Sequence, residues 1–246
     1  MCGRYFINED TYDRMMLIAE EAGLPVVNLS GRPSKAGPDG LKSKDNDPFR
    51  SAQGGPGAYD PSQFSQGKKN EQEKQDEQGK QDEWEKQDVL PSQKAPVLTQ
   101  QGFQLMRWGF HMQGTGSLLI NARAETASQK KTFSQSLQSR RCIIPAAGYY
   151  EWNPAREKVT FRRRDGGLMF FAGLYRYEEE KPRYCILTTQ ANQSARVVHD
   201  RMPLILDKGE IADWLCRPET SALLLKKEPA ALDRQQDYEQ LSFKFE

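Results

Sequence analysis

The stretch CIIPAAGYYEW, residues 142–152, decides the fold of this chain. Its aliphatic and aromatic residues predict a strand that is buried in the core. Three other stretches are of the same type. Residues 95–110 predict two strands joined by a turn at Gln101–Gly102, residues 158–177 predict a hairpin that turns at Asp165–Gly167, and RYCILTTQ, residues 183–190, predicts a further buried strand.

Helices are fewer than strands in this sequence. Residues 8–23 predict a helix capped by Asn8 or Asp10 and ended by Gly23, with an inward stripe of apolar side chains. A second helix is expected near residues 130–140, and short helices are expected within DKGEIADWL and TSALLLKK. Many strands with few helices indicate an α+β, β-rich single domain. We expect a closed or nearly closed mixed sheet with a few flanking helices.

The composition divides the chain into one domain with an insertion. Residues 31–90 are rich in Gly, Pro and Ser and then repeat a KQDE-like unit, so they predict a low-complexity insertion that is disordered or forms a solvated single helix and that is available to an unknown protein partner. The remaining residues of 1–235 form the single domain. Residues 236–246 are expected to be a C-terminal strand or tail, since LSFKF has strand character.

The bulk properties exclude several classes of protein. Formal net charge is +1, so no overall basic field indicates nucleic acid, although a local basic groove is compatible with that value. No apolar run is long enough to span a bilayer, and no signal peptide is visible. The four cysteines form no CxxC pair, which argues against zinc, and no glycine-rich phosphate motif indicates a nucleotide cofactor. We therefore expect no metal and no cofactor.

Cys2 follows Met1 directly, and this position has a chemical consequence. Removal of Met1 gives a residue with an α-amine and a thiol on adjacent carbons, and both groups are partly deprotonated near neutral pH. No internal cysteine offers that pair of nucleophiles. Arg4 lies two residues further on, so an extended chain would present Cys2 and Arg4 on one face, with the guanidinium placed to hold a phosphate or a carboxylate.

Other polar residues stand where strand runs end. Asn121, Arg123 and Glu125 alternate in INARAET, which predicts one extended polar face; a solvated edge, or a helix cap followed by a charge pair, is the alternative. Glu151 follows an apolar run, where a carboxylate either pairs with a base or gains a raised pKa that suits acid–base catalysis. His199 lies in a polar loop and is the better proton shuttle than His111, which we expect to be structural.

Seven separated motifs together resemble the SRAP family (SOS-response-associated peptidase). They are MCGRY, WGF, INARAET, RRCIIPAAGYYEW, FAGLY, ILTTQAN and HDRMP. The resemblance covers residues 1–23 and about 95–215, and it implies an SRAP-like domain with a positively charged groove for single-stranded DNA. A family stretch of the form YNxAPxxxxPV is represented here only by VLPSQKAPVL, residues 89–98.

The resemblance also implies roles for individual residues. Cys2 is the crosslinking nucleophile, Asn121 orients it, Glu151 is the acid–base group, and His199 promotes opening of the sugar ring. Arg4 and Arg123 would grip phosphates. The remaining DNA contacts would come from a base-stacking segment and a DNA-facing segment, which contain Trp108 and the pair Thr189 and Asn192, respectively.

The resemblance implies a function in the DNA damage response. The chain would recognise abasic sites in single-stranded DNA and form a thiazolidine crosslink through Cys2 after removal of Met1. Two alternatives stay open: an N-terminal-cysteine peptidase or amidase, and a non-catalytic reader of single-stranded or modified DNA. We expect a monomer that does not bind membranes, nuclear in a eukaryote and in the cytoplasm or nucleoid of a bacterium.

Overall fold

A computed structural model describes residues 2–8, 11–25, 87–112 and 114–236. The predicted insertion over 31–90 lies outside the described residues except for its last four, and Gln87–Val89 of these form a strand of a sheet. The domain therefore resumes by residue 87, earlier than the sequence predicted. LSFKF also lies outside the described residues.

Within those residues the strands are β1 (Arg4–Ile7), β2 (Gln87–Val89), β3 (Lys94–Thr99), β4 (Gly102–Trp108), β5 (Phe110–His111), β6 (Leu118–Leu119), β7 (Asn121–Arg123), β8 (Arg141–Ala146), β9 (Gly148–Trp152), β10 (Lys158–Arg163), β11 (Met169–Glu178), β12 (Lys181–Gln190), β13 (Arg201–Pro203), β14 (Ile205–Leu206) and β15 (Leu232–Gln236). The α-helices are α1 (Thr11–Glu21), α2 (Ala124–Ala127), α3 (Lys131–Ser139), α4 (Gln193–Arg196), α5 (Ile211–Cys216) and α6 (Pro218–Leu224).

The central sheet has eight strands in the order β13-β12-β4-β3-β8-β11-β14, with β7 added alongside β12. A further pairing of β11 with β12 closes five of these strands, β12, β4, β3, β8 and β11, into a ring. The ring is mixed because β4 and β12 run parallel while its other pairs are antiparallel. The predicted β-rich fold with a closed mixed sheet is confirmed.

A second, outer sheet of five antiparallel strands lies in the order β15-β10-β9-β1-β2. Its inward side chains, among them Tyr5 and Tyr149, share one hydrophobic cluster with Met106, Trp108 and Ile186 of the central sheet. This contact places the start of the chain, at β1, directly against the closed ring.

The stretch 142–152 is two strands rather than one. β8 belongs to the central sheet and β9 to the outer sheet, and the chain changes sheet at Ala147, whose amide donates a hydrogen bond to the Phe6 carbonyl at 2.8 Å. Gly148 allows this crossing because a Cβ there would lie 2.5 Å from the Phe161 carbonyl oxygen. The change of sheet carries the polar end of the stretch to the edge where β1 begins.

The hairpin predicted over 158–177 is wrong, although its turn is present. β10 pairs with β9 and β15 of the outer sheet, whereas β11 pairs with β8, β12 and β14 of the central sheet. Arg163 donates to Asp165 at the turn, which holds the crossing in place. The turn thus links the two sheets instead of closing one pair of strands.

The helices follow the sequence more closely. The helix predicted over 8–23 is observed as α1, which buries Met15 and Ala19 against a second hydrophobic cluster and ends before Gly23 at φ +67°. The helix expected near 130–140 is α3. Cys142 and Cys185 are buried, whereas Cys216 is exposed. No helix of the described part of the chain is long and apolar enough to cross a membrane.

Candidate active site

Cys2 lies at the seam between the two sheets, just before β1. Its side chain is fully buried in the shared cluster, and its thiol faces the Arg4 carbonyl at 3.7 Å. Burial raises the pKa of the Cys2 thiol well above its usual range, and the negative charge of Glu151 raises it further. The shared extended face predicted for Cys2 and Arg4 is not observed, since β1 begins only at Arg4 and the Arg4 side chain stays one-third exposed.

Asn121 holds the backbone of Cys2. The short strand β7 pairs in parallel with β12, and this pairing places Asn121 opposite Ile186. The Asn121 Nδ2 donates a hydrogen bond to the Cys2 carbonyl at 2.8 Å, which joins residues 119 positions apart in the chain. The other amide atom, Oδ1, is buried and has no hydrogen-bond partner within the described residues.

Glu151 enters the same region from β9. The residue is only 4% exposed, so its carboxyl is largely shielded from water. Burial raises the pKa of Glu151 above its ordinary value, and the positive charge of His199 acts in the opposite direction. Because Glu151 interacts electrostatically with both Cys2 and His199, the fold brings these three predicted residues into one electrostatic unit. We call Cys2, Asn121, Glu151 and His199 the terminal site.

His199 lies in the loop between α4 and β13. Its Nδ1 accepts the Arg201 backbone N–H at 2.9 Å, and the Asp200 Oδ1 lies 2.9 Å from the same nitrogen. A neutral ring that accepts at Nδ1 carries its proton on Nε2, whereas a protonated ring can turn Nδ1–H toward Asp200. Both protonation states of His199 thus have a partner, as a proton shuttle requires.

Arg201 was not singled out by the sequence, yet it fixes the His199 loop. Its guanidinium binds both oxygens of Glu125 at 2.8 and 2.9 Å and also donates to the Thr188 carbonyl at 2.6 Å. Glu125 lies in α2 and not on the extended face predicted for Asn121, Arg123 and Glu125, so the alternative with a helix and a charge pair describes it. The charged residues within HDRMP and ARAET were the sequence signal from which this ion pair could have been predicted.

Arg4 of β1 lies beside an exposed tryptophan at the end of β9. Its guanidinium is 5.6 Å from the centre of the Trp152 ring, and its Nη1 is 3.4 Å from the Asp88 carboxylate. Trp152 is 39% exposed, and Arg123 is exposed at the end of β7. Sequence reasoning missed Trp152, although an indole that directly follows a buried carboxylate at a strand end was a usable signal.

Trp108 has a different position from the stacking role that the sequence suggested. The indole is fully buried, packs on Tyr5 and Tyr184 with ring centres 5.3 and 6.2 Å away, and donates from Nε1 to the Ile120 carbonyl at 2.9 Å. A ring enclosed in this way has no free face for a nucleobase. Trp108 is therefore a core residue.

Asn192 is also corrected, since its side chain caps α4. The Asn192 Oδ1 accepts from the Ser194 and Ala195 amides at 3.0 and 3.3 Å, and its Nδ2 donates to two backbone carbonyls, those of Pro229 and Ala230. These contacts use both ends of the amide, so a DNA-facing role is not supported. Thr189 is 9% exposed and lines a cavity together with residues of α2 and α6.

His111, for which we expected a structural role, is an exposed residue. Its Nδ1 lies 2.7 Å from the Glu178 carboxylate, which also accepts from Arg176 and lies 3.4 Å from Arg183. This cluster lines an open cavity of about 1180 Å³ that contains no predicted site residue. Among the described residues no group of three or more His, Cys, Asp or Glu side chains is arranged to hold a metal ion.

Comparison with known proteins identifies a similar solved structure and the family of this chain. The fold of this chain is similar to that of a protein from Bordetella bronchiseptica in a crystal structure, with a TM-score of 0.55, 28% identity, and coverage of 61% of this chain and 87% of that one. The sequence profile described as SOS response associated peptidase (SRAP) matches residues 1–241. The chain therefore belongs to the SRAP family.

Two named relatives are similar to this chain in sequence. The abasic site processing protein YoqW of Bacillus subtilis is 37% identical over 145 residues, which cover 52% of this chain and 65% of YoqW. The abasic site processing protein YMR114C of Saccharomyces cerevisiae is 34% identical over 121 residues, which cover 44% of this chain and 33% of the yeast protein. The match thus spans less than two thirds of either relative.

Proposed function

We propose that this chain recognises abasic sites in single-stranded DNA and forms a covalent thiazolidine with them through Cys2, once Met1 has been removed. The product would protect the lesion during the DNA damage response. One observation carries the proposal: a cysteine next to the start of the chain is held by Asn121 and shares its electrostatic environment with a buried carboxyl that also interacts with an imidazole. The relatives named as abasic site processing proteins support the same substrate.

The order of bond formation follows from the state of the thiol. Burial keeps the Cys2 thiol protonated, so the amine freed by removal of Met1 is the first nucleophile. The open-chain aldehyde of the abasic sugar condenses with this amine, takes up one proton from the neutral Glu151 carboxyl and releases water, giving an iminium ion and the Glu151 carboxylate. The hydrogen bond from Asn121 to the Cys2 carbonyl fixes the backbone that carries the amine.

Ring closure then needs the thiol to lose its proton. Glu151 suits this step because its raised pKa brings the carboxyl closer to neutral pH, where it can both accept and return a proton. The sulfur bonds to the iminium carbon, the electron pair of the C=N bond moves to nitrogen, and the proton resides on Glu151. His199, which has a partner in either protonation state, would move the protons that open the sugar ring.

The surface beside the terminal site suits a single strand. Arg4 and Arg123 offer guanidinium groups to phosphates, and Trp152 offers an exposed indole face to an unstacked base. A lesion sugar that must reach a buried residue at the start of the chain is more accessible in a single strand than in a duplex. The resulting location is with DNA, in the nucleus of a eukaryote or the nucleoid of a bacterium.

The test is an adduct assay with the Met1-processed protein and a single-stranded oligonucleotide that carries one abasic site. We expect a heat-stable band on a denaturing gel whose intact mass equals protein plus DNA minus water, and its loss in Cys2→Ala with single-strand binding largely kept. A strand without the lesion is the control. Turnover of amide substrates without DNA would instead support a peptidase, and tight binding without an adduct would support a DNA reader.

A further inference from the structure

The strongest unexplained group near the terminal site is the hydroxyl of Tyr149. This residue lies on β9 opposite Tyr5, and its ring stacks on Phe161 with centres 4.9 Å apart. The side chain is fully buried, yet its hydroxyl has no hydrogen-bond partner within the part of the chain that the structure describes. Buried hydroxyls are normally paired, because leaving one unpaired costs free energy.

Other buried phenols in the same cluster are satisfied. The hydroxyls of Tyr5 and Tyr184 lie 2.7 Å apart and bond to each other, although both rings are completely enclosed. The fold therefore satisfies buried phenols where nothing else uses them. The unpaired hydroxyl of Tyr149 calls for an explanation that packing alone does not supply.

The surroundings of Tyr149 point to the terminal site. Glu151 is two residues further along the same strand, so both side chains leave β9 on one face. Cys2 belongs to the same buried cluster as Tyr149. Burial raises the pKa of Tyr149 well above its usual range, so the phenol stays neutral and keeps its proton to donate.

The proposed reaction creates an acceptor that the resting protein lacks. A thiol sulfur is a weak acceptor, but it becomes a strong one as its proton leaves for Glu151. Burial makes a negative sulfur at Cys2 costly, and a donor close to it offsets part of that cost at the moment when the charge forms. A donor without a ground-state partner loses no existing hydrogen bond when it acts.

We propose that Tyr149 is a further catalytic residue, whose hydroxyl donates a hydrogen bond to the Cys2 sulfur while the thiol adds to the iminium carbon. This inference rests on the proposed crosslinking function. Tyr149 keeps its own proton throughout: the thiol proton passes to Glu151, the carbon–sulfur bond forms, and the C=N electron pair moves to nitrogen. Imine formation, which needs only the amine, does not involve Tyr149.

The test separates the two covalent steps in Tyr149→Phe. Met1-processed protein is mixed with a single-stranded abasic oligonucleotide and quenched over time with and without cyanoborohydride, which reduces the imine but not the closed ring. The imine and the thiazolidine have the same mass. The reduced adduct is recognised by the added mass of the two hydrogen atoms that reduction of the C=N bond supplies. Two further quantities are measured in parallel: the affinity for single-stranded DNA that carries an abasic analogue without an aldehyde, and the urea concentration at the midpoint of unfolding.

We expect ring closure to be roughly tenfold slower in Tyr149→Phe, the magnitude of one lost hydrogen bond to a charged group. The imine should accumulate, DNA affinity should not change, and the unfolding midpoint should stay the same or rise because an unpaired hydroxyl is removed. The matched control is Tyr184→Phe, which should lower the midpoint by leaving Tyr5 unpaired and should leave the imine-to-ring ratio as in the wild type.

Two results overturn the inference, and they are distinguishable from failure of the proposed function. Ring closure at the wild-type rate in Tyr149→Phe shows that the hydroxyl takes no part. Parallel losses of closure and stability, as in a packing defect, assign it a structural role. Wild-type protein that forms neither imine nor ring contradicts the crosslinking function itself, and with it the role of Tyr149.

Discussion

The Asn121 side chain donates a hydrogen bond to the backbone carbonyl of Cys2 at 2.8 Å. This contact ties the start of the chain to β7, which is itself fixed by parallel pairing with β12 of the closed sheet. Chain termini are usually mobile, and a mobile amine is a poor nucleophile for a defined aldehyde. The hydrogen bond therefore positions the residue whose amine the proposed reaction requires.

Asn121→Ala removes that hydrogen bond and leaves the Cys2 carbonyl without it. We expect adduct formation to slow by roughly tenfold, because losing a buried hydrogen bond costs on the order of 1–2 kcal/mol. Single-turnover adduct formation measures the rate, and binding of an abasic analogue without an aldehyde measures affinity, which should stay within about twofold. Asn153→Ala, at an exposed turn, is the control and should match the wild type in both. Equal effects on rate and affinity would contradict a positioning role.

Glu151→Gln separates catalysis from stability. The folded-state pKa of Glu151 is raised by burial, so the native protein holds this proton more tightly than the unfolded chain does. The stability from Glu151 is complete below the ordinary carboxyl range and is lost as pH rises through the raised pKa. Glutamine does not titrate, so the variant should gain stability relative to wild type over that window while losing the adduct.

Urea unfolding at several pH values measures this difference. The gap between Glu151→Gln and wild type should widen as pH rises above about 4.3, the ordinary value for glutamate, and then level off. Glu228→Gln is the control, because Glu228 is exposed and should give a constant difference. A gap that narrows with rising pH would mean that the native state favours the ionised carboxylate.

The strands were predictable from the sequence, but their partners were not. Residues 142–150 and 168–175 have the apolar character of buried strands, and that character is the same in both sheets. The change of sheet at Ala147 depends on the close approach of Gly148 to Phe161. The crossing at Asp165 depends on the pairing of β10 with β15 in the outer sheet and of β11 with β8 in the central sheet. These are long-range contacts, which local patterns do not encode.

The same difference between local sequence pattern and long-range packing applies to the site residues. Cys2 and Glu151 were identifiable because their chemistry is unusual at those positions in the chain. The two tryptophans were not distinguishable, since Trp108 and Trp152 both end apolar strands and only the packing of one sheet on the other buries the first and exposes the second. Asn192 resembled a polar contact residue because a helix cap and a DNA contact need the same amide.

Glu125→Gln tests the clamp behind His199. Hydrogen bonds from Arg201 hold the pKa of Glu125 below its usual value, so this carboxylate stabilises the fold above the ordinary carboxyl range and the effect is lost as pH falls. We expect a loss of about 1 kcal/mol at pH 7, since Arg201 is buried but Glu125 is partly exposed. Urea unfolding measures it, and the loss should shrink in acid. Asp213→Asn, in an exposed pair with Arg217, should cost less than about 0.5 kcal/mol.

Gly148→Ala tests the crossing between the sheets. The added methyl would lie 2.5 Å from the Phe161 carbonyl oxygen, a backbone atom that cannot rotate away. We expect a destabilisation of about 1–3 kcal/mol, measured by thermal or urea unfolding, and slower adduct formation because β9 carries Glu151. Gly209→Ala is the matched control, since nothing lies within 4 Å of its added methyl. Unchanged stability in Gly148→Ala would show that β9 and β10 can separate slightly without loss of stability.

Arg4 and Asp88 give a final pair of opposite predictions about DNA binding. Arg4→Ala should weaken binding to single-stranded DNA and reduce the salt dependence of the binding constant by about 0.7 in log–log slope, the value of one lost phosphate contact. Asp88→Asn should do the reverse, because it removes the carboxylate that lies 3.4 Å from the Arg4 guanidinium and competes with phosphate. Fluorescence anisotropy over a salt series measures both.

The control is Arg217→Ala, which removes an exposed cation near α5 and α6 and should leave the slope unchanged. An equal effect of Arg217→Ala would mean that binding reflects overall charge and not a groove at the terminal site.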